Sequence, residues 1–139
     1  MFPTFAALFF TVVLMVTTAY FLMGGLPLLV LKHDTALDAR FVRSFFDIYY
    51  KAAFFAATGA AISYALSSRP AFAMGNAGVA VMVMLLRTKL IAAMAQLDDL
   101  IQQGEMQAIR RFKKVHCAAL AMNLAQLIGL VWGLTQISL

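Results

Sequence analysis

The first 31 residues, Met1 to Leu31, carry no charged side chain, and uncharged runs of 17, 17 and 25 residues follow in a chain of only 139. A bilayer's hydrocarbon layer is about 30 Å thick, and a helix rising ~1.5 Å per residue needs roughly 20 apolar residues to cross it. Four such crossings fit, at about 4–26, 45–66, 70–90 and 116–138. The chain is thus expected to be all-α, a polytopic membrane protein folded as one four-transmembrane-helix bundle over residues 1–139. A content of 63% hydrophobic and 12% charged residues, with mean hydropathy +0.87, argues against a soluble domain.

The distribution of basic residues predicts orientation, because Lys and Arg are retained on the cytoplasmic side of short loops. Ten of the eleven, all but Arg69, belong to the connections after the first and third spans or to the helix ends beside them. Both termini are therefore expected outside, which is periplasmic if the host membrane is a bacterial inner membrane. The first basic residue is Lys32, so the leading segment has no basic region of the kind that opens a cleaved signal peptide and is expected to remain as an anchor. The net charge of +5 then reflects the positive-inside bias and anionic headgroups, not nucleic acid.

Helices 2, 3 and 4 are expected to extend beyond the bilayer into the cytoplasm. Thr35 is placed to cap a helix with Asp38 three residues on, and no breaker follows before Ser67. The turn Ser67-Ser68-Arg69-Pro70 then leads into a helix with proline at its start. The third helix continues past Lys89 as Leu90, Met94, Leu97 and Ile101 recur at helical spacing, and Gly104 is a natural terminator. Glu105 is expected in the first turn of the last helix. A cytoplasmic helical hairpin over about 91–115 follows, in which Asp98 and Asp99 would face Arg110 and Arg111. In the first helix, Gly24, Gly25 and Pro27 are expected to end the span near Leu26.

Candidate functional residues come from charge placed inside the apolar spans. Arg40, Arg43, Asp47 and Lys51 follow one another at helical spacing and form one stripe. Folding at Arg69-Pro70 brings Arg87 level with Lys51 and close to Asp47, and folding at Gly104 brings Arg87 near Asn123. His116 lies two turns from Asn123 on one face. Intramembrane ionisable groups are costly and mark sites, so Arg43, Asp47, Lys51, Arg87, His116 and Asn123 are the candidate ligand-binding set, expected to gather in one polar pocket. The competing reading is structural: Lys51 and Arg87 snorkel to the interface while Asp47 neutralises Arg43.

No paired glutamates, nucleophile elbow, phosphate-cradling loop or metal-spacing motif is present, so no catalytic residue, metal or cofactor is predicted. Cys117 stands alone and forms no internal disulfide. Stripes of small residues, Ala52, Ala56 and Ala60, Ala53, Ala57 and Ala61, and Ala73, Ala77 and Ala80 with Gly75 and Gly78, permit close helix approach, either within the chain or with a partner. Asn123 and Gln126 suit hydrogen bonds to a neighbouring helix as well as to a ligand.

The run Arg111-Phe112-Lys113-Lys114-Val115-His116, with Asn123 following inside an apolar helix and Arg40-Phe41-Val42-Arg43-Ser44-Phe45-Phe46 earlier, resembles the small four-helix bacterial membrane proteins grouped near the anthrone-oxygenase-like domains. Val115 and Cys117 depart from that pattern where a Leu and a small residue are expected. The resemblance implies a four-helix bundle and points to lipophilic aromatic or quinone-like ligands. Two functional readings result. The first is a non-catalytic accessory subunit packing, amid membrane lipids, against a larger respiratory or photosynthetic type of complex or in a homo-oligomer. The second is a stand-alone binding protein or oxygenase-like enzyme for a quinone-like or other lipophilic ligand.

Overall fold

The structure, a computed structural model, describes residues 1–30 and 36–137. Thr35 and Ser138, one the expected cap of the second helix and the other the expected end of the fourth span, lie outside the described residues. Four helices make up the fold: α1 (Phe2–Leu28), α2 (Ala36–Leu66), α3 (Pro70–Gln102) and α4 (Met106–Thr135). Three of them, α1, α3 and α4, are long and apolar enough to cross a membrane. The apolar half of α2 is diluted by Tyr49, Tyr50, Ser63 and Tyr64 and interrupted by Lys51, which sets it apart by composition.

Each helix packs on its neighbours in sequence, and α4 closes the ring against α1. The second and third helices, at 31 and 33 residues, are about 45–50 Å long, as their lack of internal breakers predicts. Both connections to and from α3 use one backbone device. At the end of α2, Ser68 adopts φ 57°, its N–H bonds the Ala65 carbonyl and the Arg69 N–H reaches back to Tyr64. At the end of α3, Gly104 adopts φ 80°, with its N–H on Ile101 and the Glu105 N–H on Leu100. Each is a left-handed cap that satisfies two orphan carbonyls. Glu105 occupies the N-cap of α4, one position before the expected first turn.

The first helix runs two residues past its expected end. Pro27 falls in the last turn, where a missing N–H costs one bond at most, and the Leu29 and Val30 N–H groups close the end on Leu26 and Pro27. Gly24 and Gly25 serve close packing there. A Cβ on Gly24 would sit 2.8 Å from the Phe45 ring, and one on Gly25 would sit 2.6 Å from Leu120.

The α1–α2 contacts fix a register along most of both helices. Gly24 lies against Phe45, Phe21 stacks on Tyr49 with centroids 4.0 Å apart, Gly59 lies against Phe10, and Thr11 meets Tyr64. The small stripes of α2 are used inside the bundle, with Ala53, Ala56, Ala57 and Ala60 all buried. Large apolar side chains such as Phe5, Phe9, Tyr20, Ile62, Met74, Val81 and Ile128 point outward.

Candidate functional site

The six candidate residues do not share one pocket. They separate into a charged cluster on the outer α2–α3 face and a neutral network in the bundle interior. Folding α3 back on α2 does bring Arg87 to Asp47, as the tight turn dictates: Arg87 Nε donates to Asp47 Oδ1 at 2.8 Å. The other Asp47 oxygen takes Lys51 Nζ at 2.7 Å, one helical turn away. Asp47 is thus held by two cations, and the pairs are half-exposed to exposed, so each contributes little by itself. Arg43 turns instead to Asp98 of α3, at 3.6 Å. That contact overturns the expected facing of Asp98 and Arg110. Asp98 is buried because its side of α3 packs toward α2, whereas Arg110 and Arg111 remain exposed on α4. A shallow groove of 370 Å³ beside the cluster is lined by Arg43, Ser44, Asp47, Ile48 and Ile91.

His116 and Asn123 face the opposite way, into the core, and both are fully buried. The α4 face that carries them packs on α1, and this separates them from the Arg87 side of α3. His116 Nε2 lies 3.0 Å from the Gly25 carbonyl, so it is the protonated ring nitrogen and donates. In a continuing helix that carbonyl would receive the Leu29 N–H, which has moved to Leu26. His116 therefore caps the C-terminal end of α1 from a neighbouring helix. Its ring meets Phe46 edge-on, with centroids 4.9 Å apart.

One level further along, Thr18, Tyr49, Asn123 and Gln126 form a buried network from three helices. Every donor direction in it is fixed by elimination. Thr18 gives its proton to Leu14 O at 2.8 Å, and Tyr49 gives its proton to Asn123 Oδ1 at 2.6 Å. Asn123 Nδ2 donates to Ala119 O at 2.7 Å. The hydroxyl oxygens of Thr18 and Tyr49, 3.3 Å apart, both have their protons committed, so neither donates to the other. They are bridged by the Gln126 amide nitrogen, which donates to them at 3.1 and 3.3 Å. Gln126 Oε1 is left as a buried acceptor with no partner among the described residues. Thr18, Tyr49 and Gln126 were absent from the candidate set. The signal that points to them is the repeat of hydrogen-bonding side chains at Asn123 and Gln126 on one α4 face.

Beyond that network, α3 and α4 part toward the end of the bundle that holds the Ser67–Arg69 turn, and a cleft of 680 Å³ opens between them. Thr11 and Tyr64 contribute to it from α1 and α2, Phe72, Gly75, Asn76 and Val79 from α3, and Gln126, Gly129, Trp132 and Gly133 from α4. Its surface is overwhelmingly apolar. The hydroxyl protons around it are committed. Thr11 donates to Ala7 O at 2.8 Å and accepts from the Tyr64 hydroxyl at 3.1 Å. Asn76 Nδ2 donates to Phe72 O at 2.9 Å, which leaves Asn76 Oδ1, like Gln126 Oε1, a buried acceptor without a partner among the described residues.

Among the described residues no group of three or more His, Cys, Asp and Glu is gathered to hold a metal ion, and Cys117 is exposed. In comparison with known proteins, no family model, curated protein or solved structure matches the chain.

Proposed function

We propose that this chain is a four-span integral membrane protein that binds a lipophilic ligand between α3 and α4. The observation that carries the reading is the 680 Å³ apolar cleft, within the roughly 300–1,000 Å³ range of small-molecule sites. The α1–α2 register supports a fourth span. Residues 45–59 of α2 lie level with residues 10–24 of α1, which supports a crossing by α2 beside α1. The basic connections favour an orientation with the cluster of Arg43, Asp47, Lys51 and Arg87 toward the cytoplasmic leaflet and the cleft toward the outer one, both termini being outside in a bacterial inner membrane. On this reading His116, Asn123 and the charged cluster hold the bundle together, and the cleft holds the ligand. The likeness to anthrone-oxygenase-like four-helix proteins agrees with a lipophilic ligand, although the cleft offers no nucleophile or metal set for oxygenation.

The test is extraction. Protein purified in mild detergent is to be stripped with organic solvent and the extract analysed by mass spectrometry beside a Gly129→Leu variant that fills the cleft. A defined small molecule present in the parent and lost in the variant is the expected result. Identical extracts from the two would reject a cleft ligand.

A second reading, a non-catalytic accessory subunit of a larger membrane complex, is favoured by the bareness of α3. Only 17% of its apolar window is buried, and Ala77 and Gly78 are exposed, with nothing near Gly78. Small residues on an outward face suit close approach by a partner helix. Migration with a much larger assembly in mild detergent would favour it.

A further inference from the structure

From the two unpartnered amide oxygens of the cleft, we infer that its ligand is a lipophilic hydrogen-bond donor, a molecule with a hydroxyl or N–H group and an apolar body, recognised at Gln126 Oε1 and Asn76 Oδ1. The inference rests on the cleft being a ligand site and specifies which chemistry the site selects.

Two residues lining the cleft, Asn76 and Gln126, are each more than nine-tenths buried, at 9% and 8% exposure. The Gln126 amide nitrogen is fully spent, and that of Asn76 has one of its two protons committed. Asn76 Nδ2 closes on Phe72 O, and Gln126 Nε2 is shared by Thr18 and Tyr49. Exchanging the oxygen and nitrogen of the Gln126 amide would not help. Thr18 and Tyr49 have given their protons to Leu14 O and Asn123 Oδ1, so an oxygen turned toward them would meet two acceptors. The chain from Leu14 and Ala119 through the network to Gln126 therefore has one direction, and it ends on an acceptor at the cleft. Tyr64 and Thr11 add no donor, because the Tyr64 proton goes to Thr11 and the Thr11 proton to Ala7 O.

A buried acceptor left unpaired carries its full desolvation cost, and a donor supplied by a ligand removes that cost. An acceptor ligand finds no free donor on Gln126 and leaves both amide oxygens unpaired. A site with two buried acceptors left without partners favours molecules that bring a donor over molecules that do not.

Trp132 is the sole tryptophan of the chain and lines the same cleft, so its fluorescence reports occupancy directly. The full chain in mild detergent is to be titrated with a long-chain bromoalkanol and, separately, with the methyl ether of that alcohol, which keeps the bromine quencher and the apolar body but has no proton to give. Saturable quenching by the alcohol at about tenfold lower concentration than by the ether is expected, the worth of one buried hydrogen bond. Asn76→Leu removes one acceptor from the cleft wall, and the alcohol's advantage should shrink while the ether's binding stays unchanged. Equal saturable binding of alcohol and ether, or tighter binding of the ether, overturns the donor inference and leaves the cleft reading standing. Quenching that never saturates, or that Gly129→Leu does not diminish, overturns the cleft reading itself.

Discussion

The α1–α2 pair and the α3–α4 pair draw on the same small residues and use them in opposite ways. Between α1 and α2 the backbones are close enough for a ring to lie flat on glycine: a Cβ at Gly59 would meet three Phe10 ring atoms at 2.7–2.8 Å. Between α3 and α4, Gly75, Gly129 and Gly133 have nothing within 4 Å of where a Cβ would stand. Small-residue stripes thus mark where helices are able to approach, and the neighbouring large side chains decide whether they do. Phe10, Phe21, Phe45 and Tyr49 fill the first interface. The second is lined by Met82, Leu130 and a largely exposed Trp132, which leave it open.

The sharpest way to break this comparison is Gly59→Ala. Phe10 must leave its seat, and overpacking of this kind should cost about 1–3 kcal/mol of stability, read as a lower unfolding midpoint in detergent. An unchanged midpoint would mean that α1 and α2 are not so close. Next in size, Asn123→Ala removes the acceptor of the Tyr49 proton and should cost about 1–2 kcal/mol. Tyr49→Phe combined with it should cost less than the sum of the two single changes, because the two residues share one bond. Gly129→Ala should do the reverse of Gly59→Ala, raising stability by roughly 0.5–1 kcal/mol through helix propensity alone. A loss comparable to that at Gly59 would show that something fills the cleft in the purified protein. The smallest effect belongs to the turns. Ser68→Gly relieves a left-handed serine and should add a few tenths of a kcal/mol to about 1 kcal/mol, whereas Gly104→Ser should lower stability by a similar amount.

Much of the fold was legible because helix periodicity and breakers are local. The limits of α2 and α3, the turn at Gly104 and the meeting of Asp47 with Arg87 all follow from spacing and from tight connections. The fate of Asp98 was not legible, since a hairpin register pairs it with Arg110 as readily as helix rotation pairs it with Arg43. Nor was the separation of His116 and Asn123 from Arg87, which depends on how far α4 turns toward α1. Tyr49 escaped notice because a tyrosine in an apolar helix reads as an interface anchor until its hydroxyl is seen to reach Asn123. The cleft has no sequence signal of its own. It exists because two helices that touch near Gly104 diverge, and divergence is a property of the whole bundle.

The pairing of Asp47 with Arg87 also bears on the order in which the chain is assembled. Taken alone, the second helix offers the insertion machinery only 15 uncharged residues, Ala52 to Leu66, too few to span hydrocarbon, preceded by a lysine and an aspartate that resist entry. Asp47 has Lys51 one turn away in the same helix, and its second cation, Arg87, is made 40 residues later in the sequence. On the four-span reading, α2 would therefore wait at the membrane surface until α3 has been synthesised, and the two would enter as a hairpin with Asp47 already held by both cations. A ribosome-stalled chain ending before Arg87 should leave the Ser67–Arg69 turn accessible from the cytoplasmic side, and one extended past it should not; an early crossing of α2 alone would refute this order.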